Sequence, residues 1–139
     1  MSKIYDVIIL GAGPAGLAAG LYAGRSRLST LIVEKGQDGG QIAITDEIEN
    51  YPGQSLDKES GPTLIARMTA QAQKFGAERV RDVIQSVELE GDVKKLTGSQ
   101  GEYFGRTVIL ATGAFPRPIG CKNEGKFMGK GISFCATCD

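Results

Sequence analysis

The sequence predicts an α/β fold on a central parallel sheet, and three observations carry that prediction. Ile4 to Leu10 is a short, continuously apolar run rich in β-branched residues, as a strand covered on both faces requires. A glycine-rich turn and a helical stretch of small residues follow it directly, and Thr30 to Glu34 supplies a second buried strand. Strand, helix and strand within the first ~35 residues match the size of one right-handed crossover unit.

Each element has a local cause. Pro14 takes the first helical position, where its missing N–H would have had no partner, so Ala15 to Gly24 continues as a helix. From Gly36 to Gly61 the chain is rich in Gly, Asp, Gln and Asn, turns at Pro52 and Gly53, and holds no period. Connections longer than about 12 to 15 residues are usually functional or disordered, which makes this one a candidate ligand contact. Pro62 to Phe75 is a second helix, with Leu64, Met68, Ala72 and Phe75 at helical spacing to cover the sheet and Gly76 to end it in a left-handed cap. Val80 to Leu89, Val93 to Thr97 and Tyr103 to Ala111 read as strands of a meander, separated by Gly91-Asp92 and by Gly98 to Gly101. Pro116, Pro118 and the aperiodic stretch from Gly120 to Gly131 put a domain edge near Ala114 to Gly120.

The whole chain narrows the function classes. Its 139 residues make one compact domain and leave no room for a second complete one. Sixteen basic and sixteen acidic side chains cancel without any block of like charge, so the electrostatic footprint of a nucleic-acid or anionic-membrane binder is missing. Val7 to Gly24 is nearly uncharged and about as long as a short membrane span, but Gly11, Gly13, Pro14 and Gly16 interrupt it and favour strand, turn and helix. The N-terminus carries no charged and apolar leader with a cleavage site, so a cytoplasmic protein is expected.

Gly11, Gly13 and Gly16 have the spacing GxGxxG, and each has a mechanical task. The first permits the sharp turn off the strand, the second lets backbone approach a pyrophosphate, and the third lets the helix pack closely while its N-terminal N–H groups face the phosphate charge. Glu34 stands 23 residues after Gly11 at the end of the next strand, where a carboxylate can accept hydrogen bonds from a ribose. An acidic residue there argues against a 2′-phosphate, and the pattern by itself leaves NAD and FAD open.

Cys135 and Cys138 form a CxxC, a spacing that can bring two sulfurs within disulfide reach, whereas Cys121 stands apart. A redox dithiol fits better than a zinc site, because tetrahedral zinc needs four ligands and the chain offers three Cys and no His. If the pair opens a helix, the field at its N-terminus would stabilise a thiolate. With His absent, the neighbouring Asp139 is the candidate proton donor, its pKa raised if it is partly desolvated.

Five segments together resemble the bacterial, low-molecular-weight thioredoxin reductases: GAGPAG at 11 to 16, GGQ at 39 to 41, EIENYPG at 47 to 53, ATGA at 111 to 114 and GKGISFCATCD at 129 to 139. CATCD is the most specific of these, since the related flavoprotein of alkyl hydroperoxide reduction usually has a His between its cysteines and this chain has Ala136 and Thr137. The resemblance implies a three-layer Rossmann-like FAD-binding domain whose central parallel sheet carries helices on one face and a β-meander on the other. Gly11, Gly13, Pro14, Ala15 and Gly16 would hold the pyrophosphate, and Glu34 and Lys35 the adenosine end. Gly40, Gln41, Ile42, Thr45 and Asn50 would line the flavin and ribityl chain, Val83 would meet the adenine, and Ala111, Thr112 and Gly113 would pass by the cofactor.

The same resemblance implies that electrons pass from NADPH through FAD to the Cys135-Cys138 disulfide, with Cys138 against the isoalloxazine, Cys135 attacking thioredoxin and Asp139 as the acid. A homodimer is likewise implied. Family members continue with a complete NADPH domain and then return to the FAD domain. Residues 1–115 are therefore read as the N-terminal part of an FAD-binding domain without its return segment, and 116–139 as a linker and the start of the NADPH domain with its CxxC. Two alternatives stay open, an isolated FAD-binding fragment without turnover and a reductase with a donor such as ferredoxin.

Overall fold

The computed structural model describes residues 2–55, 57 and 59–135. Strand β1 (Ile4–Leu10), helix α1 (Pro14–Arg25) and strand β2 (Thr30–Glu34) form the crossover unit the sequence predicts. The strands pair in parallel from Val7 opposite Thr30 to Leu10 opposite Val33. Asp6 and Ser29 lock the start of this register: the Ser29 hydroxyl and N–H both donate to the Asp6 carboxylate at 2.7 and 2.8 Å, and the Asp6 N–H donates to the Ser29 hydroxyl at 2.9 Å.

Helix α2 (Gly61–Lys74) begins at Ser60, whose hydroxyl accepts the Thr63 N–H while the Thr63 hydroxyl accepts the Ser60 N–H, a reciprocal capping box. Leu64 and Ala72 face the sheet as their spacing predicts, and Met68 packs at the margin of that core. Phe75 does not join them. The helix ends at Lys74, so Phe75 turns outward, 40 % exposed, with the Arg25 guanidinium over its ring, and Ile65 takes the inner position.

The next four strands are β3 (Glu78–Arg81), β4 (Ile84–Glu88), β5 (Lys94–Gly98) and β6 (Glu102–Leu110), followed by the short helix α3 (Glu124–Phe127). The single strand expected over Val80 to Leu89 is thus two. β3 extends the parallel sheet beside β2, and β4 leaves it in a new direction. Asp82 makes the break. Its carboxylate, 2 % exposed, accepts the Ser99 hydroxyl at 2.6 Å, the Val83 N–H at 2.7 Å, the Tyr103 hydroxyl at 2.9 Å and the Gln100 N–H at 3.1 Å. The Ser99 hydrogen bond, helped by those from Tyr103, Gln100 and Val83 and opposed by burial, lowers the Asp82 pKa to about 2. Burial and the Asp82 hydrogen bond push Tyr103 up to about 12. Alternation of side chains could not reveal this corner, because apolar residues continue on both sides of it.

The six strands lie in the order β3-β2-β1-β6-β5-β4. The central sheet is parallel over β3, β2, β1 and β6, and the meander is hydrogen-bonded to it through β6. Phe104 and Gly105 pair with β1 on one side and β5 on the other, so the sheet bends over itself there. Gly105 allows the close crossing, since a Cβ would lie 2.8 Å from Ile8. Leu96 of β5 consequently packs with Ile8, Leu31 and Val33 on one face, while Val7, Ile9 and Ile32 join Leu17 of α1 and Ile65 and Ala72 of α2 on the other. Helices on one face and a meander on the other make three layers. Full burial of each of Ile8, Ile9 and Leu17 contributes roughly 1.5–3 kcal/mol before entropy is counted. Among the described residues no helix is long and apolar enough to cross a membrane.

Candidate functional site

A groove of about 550 Å³ opens at the carboxyl ends of β1, β2 and β6. This is where an open parallel sheet collects ligands, because the loops leaving its strands diverge there. Gly11, Gly13, Pro14, Ala15, Glu34, Lys35, Gly40, Gln41, Ile42, Ala111, Thr112 and Gly113 all line it. The sequence had placed these residues on four separate segments, and the fold brings them to one wall.

The three glycines of the turn differ in what surrounds them. Gly11 has φ +110°, and a Cβ on it would overlap the carbonyl oxygen of Ala111. Gly16 is buried, and a Cβ there would overlap the carbonyl oxygen of Gly11, so the helix rests on the turn. Gly13 faces open space, with nothing within 4 Å of a Cβ position. Two glycines therefore make the fold and the third keeps the groove accessible. Helix α1 starts at Gly13 without a side-chain cap and without an acidic residue in its first turn, and its first backbone bond runs from Leu17 N–H to Gly13. The N–H groups of Ala15 and Gly16 are thereby left to an anion at the positive end of the helix dipole.

Glu34 closes the other side. One carboxylate oxygen accepts the Ala12 N–H at 2.8 Å and the other the Gly36 N–H at 2.9 Å, which ties the phosphate turn to the start of the long loop. Each oxygen retains a lone pair for a hydroxyl donor. Gly39 N–H donates to Ala12 C=O at 2.8 Å, so the loop folds back on the turn, and a 3₁₀ turn over Gly40–Ile44 follows. Across the groove the Gln41 amide donates to Ala114 C=O at 3.3 Å, and the Lys35 ammonium lies 4.9 Å from the centre of the Phe115 ring.

Thr45 ends the 3₁₀ turn and does not line the groove, its hydroxyl donating to Gln41 C=O at 3.4 Å. Asn50 lies in a separate hollow of about 510 Å³ formed by residues 47–55. Val83 is half-exposed just beyond Arg81, the register partner of Glu34, and is not in the groove wall. Cys135 is disulfide-bonded and its N–H donates to the Ser133 hydroxyl at 3.1 Å, away from the groove wall. Cys138 and Asp139 lie outside the described residues. Four lining residues had not been singled out for this role: Gly39, Leu110, Ala114 and Phe115. Gly39 and Ala114 sit within the GGQ and ATGA segments and Leu110 ends a strand, so each had a neighbouring signal; Phe115 had none.

Comparison with known proteins agrees with this geometry. The family described as pyridine nucleotide-disulphide oxidoreductase matches residues 5–139. The chain is 52 % identical over 139 residues to a thioredoxin reductase of Peptoclostridium acidaminophilum, covering all of this chain and 44 % of that protein. It is 46 % identical over 137 residues to one of Listeria monocytogenes, covering 99 % of this chain and 42 % of the relative. The solved thioredoxin reductase of Streptococcus pyogenes superposes with a TM-score of 0.89 at 43 % identity, over 100 % of this chain and 45 % of that one. The chain thus spans less than half the length of the curated relatives it matches. The glycine turn, the loop folded onto it and the sequence match lead to one conclusion: this chain belongs to the pyridine nucleotide-disulphide oxidoreductase family.

Proposed function

We propose that the groove binds FAD and that the complete protein is a thioredoxin reductase. The observation that carries the reading is the convergence of the glycine turn, Glu34, the GGQ loop and the ATG segment on one groove, with Gly13 open to it. The residues fit the group: bare helical N–H groups suit a pyrophosphate, and a carboxylate with spare lone pairs suits a ribose diol. Gly11, Gly13, Pro14, Ala15 and Gly16 hold the pyrophosphate, Glu34 and Lys35 the adenosine end, and Gly40, Gln41 and Ile42 the flavin side, with Thr45 and Asn50 beyond them. Val83 meets the adenine edge, and Ala111, Thr112 and Gly113 form the opposite wall.

When bound, FAD supplies two-electron redox chemistry between NADPH, held outside this segment, and the Cys135-Cys138 pair. The dithiol form of the pair has Cys135 as the thiolate that attacks the disulfide of thioredoxin, breaking its S–S bond, forming a mixed disulfide and releasing the first thioredoxin sulfur as a thiolate that takes up a proton from solvent. Cys138 then attacks Cys135, expelling the thioredoxin thiolate and restoring the intramolecular disulfide, and Asp139 donates the proton that the leaving thiolate takes up. In this reading residues 1–115 are the FAD-binding portion, 116–139 lead into the NADPH domain, and the working unit is a cytoplasmic homodimer.

The test is a visible spectrum after incubation with FAD and removal of unbound cofactor. A retained flavin whose spectrum changes when dithiothreitol reduces the Cys135-Cys138 disulfide is the expected result, and a folded but colourless protein rejects the binding reading for this chain. Because the chain covers less than half of its relatives, a retained flavin that does not respond to dithiothreitol would instead favour an FAD-binding module without turnover. Comparing NADPH with reduced ferredoxin as donor to the complete protein decides between the two electron sources.

A further inference from the structure

We propose that Asp38, Thr69 and Arg79 form a positioning clamp that sets the width of the groove by holding the loop bearing Gly39, Gly40 and Gln41. The inference rests on the reading of that groove as the FAD site.

The three residues come from three elements and none lines the groove. Arg79 is the second residue of β3, in register with Ile32, so its side chain leaves the sheet on the helical face. There its Nε and Nη2 reach one oxygen of Asp38 at 2.6 and 2.5 Å. The other Asp38 oxygen accepts the Thr69 hydroxyl of α2 at 3.1 Å. Nη2 of Arg79 also donates to Gly36 C=O at 3.3 Å. One guanidinium therefore holds the loop at Gly36 and at Asp38, and a helix hydroxyl completes the carboxylate's coordination.

The pair is sheltered. The Asp38 and Arg79 side chains are 13 % and 27 % exposed, unlike the surface pair of Lys95 and Glu102 at 31 % and 49 %. A partly desolvated, charge-assisted contact is stronger and less screened by salt than an exposed one.

What the clamp holds is the groove's outer wall. Directly after Asp38, Gly39 adopts φ +112° with its Cβ position 2.8 Å from Ile65 of α2, so the loop lies flat against the helix. Gly40 then turns so that its Cβ position is 4.0 Å from the Cα of Gly13. The bare backbones of Gly40 and Gly13 thus approach to van der Waals contact at the rim of the groove, beside the place proposed for the pyrophosphate. Two other ties of the loop, from Gly36 to Glu34 and from Gly39 to Ala12, run to the inner wall, and Gln41 reaches Ala114 across the groove. On the α2 side the Gly61 N–H donates to Thr45 C=O at 2.9 Å and fixes the far end of the 3₁₀ turn, whereas the clamp is the charged tie directly before Gly39. Its loss frees the wall to move relative to Gly13 while the cores on both sheet faces stay packed.

The experiment measures FAD dissociation constants by flavin fluorescence alongside the thermal midpoint of the cofactor-free chain. Arg79→Ala and Asp38→Asn are expected to weaken FAD by about tenfold and to shift the cofactor-free midpoint by no more than about 2 °C. Thr69→Val, which keeps the side-chain shape, is expected to weaken it about threefold. The doubly substituted Asp38→Arg, Arg79→Asp chain should recover part of the loss, since the charges are restored in exchanged places. A purely structural contact would lower the midpoint and leave the dissociation constant unchanged, which overturns the clamp. Should Arg79→Ala fail to fold, Thr69→Val decides on the same criterion. A wild-type chain that binds no FAD overturns the groove reading and the clamp with it, whereas tight wild-type binding with unchanged variants overturns the clamp alone.

Discussion

Glu34 ends β2 and Asp82 follows β3, so neighbouring parallel strands each deliver a carboxylate to the same edge of the sheet, and the Asp82 N–H even donates to Glu34 C=O at 3.0 Å. Their surroundings then diverge. Asp82 is enclosed and takes donors from Val83, Ser99, Gln100 and Tyr103, which leaves no position for a ligand. Glu34 takes one N–H on each oxygen and faces the groove. A saturated carboxylate joins parts of the fold, whereas one with unused lone pairs beside a cavity both joins and binds. Position at a strand's carboxyl end does not distinguish the two; the count of donors does.

Four substitutions sharpen that comparison. The largest effect is expected from Gly16→Ala, where the methyl overlaps Gly11 C=O and the backbone has to shift. A loss of about 3 kcal/mol or more in urea unfolding is expected, together with loss of flavin retention. Asp82→Ala comes next. It strands the N–H groups of Val83 and Gln100 and the two hydroxyls, so the thermal midpoint should fall by roughly 5 °C or more. The sign of its pH dependence follows from the lowered pKa. Folding depresses the Asp82 pKa from 3.8 to about 2, so its stabilisation is complete above 3.8 and disappears as pH falls through about 2. Midpoints of wild type and Asp82→Ala measured from pH 6 down to pH 2 should therefore converge at the acid end, and parallel curves would remove the carboxylate from the account.

Glu34→Gln is the corresponding change on the open side. The amide NH₂ cannot accept an N–H, so one of the two tethers is lost, and FAD should bind about tenfold more weakly with a small change in midpoint. A larger fall in stability than in affinity would place Glu34 with Asp82 as a joining group. The smallest effect is expected from Gly13→Ala, whose methyl meets nothing within 4 Å in the protein. Stability should be unchanged and FAD affinity reduced about fivefold by calorimetric titration, since the methyl takes space that the pyrophosphate would use.

Much of this site could be read before the fold was known. β1, α1 and β2 follow from an apolar run, a proline at the first helical position and three glycines, all near-neighbour signals; both strands have the expected bounds, and the helix runs one residue past Gly24, to Arg25. The corner at Asp82 could not be read that way. Apart from the adjacent Val83, its partners lie 17 to 21 residues further along the chain, and apolar residues continue on both sides of it from Val80 to Leu89. Phe115 over Lys35 and Arg79 on Asp38 were equally invisible, since one pair spans 80 residues and the other 41.

The sequence by itself determined the crossover unit and the glycine turn, because each is written in contacts between residues a few positions apart, whereas the GGQ and ATG segments of the groove wall were legible only through the family resemblance. It also determined which glycines were present, but not their separate tasks. Only the tertiary structure decided that Gly11 and Gly16 are held by steric contact while Gly13 stays open, that the meander is joined to the parallel sheet through β6, and that Asp82 is enclosed while Glu34 is not. Those outcomes depend on which distant donors and backbones arrive at a given point, and long-range packing leaves no periodicity in the local sequence.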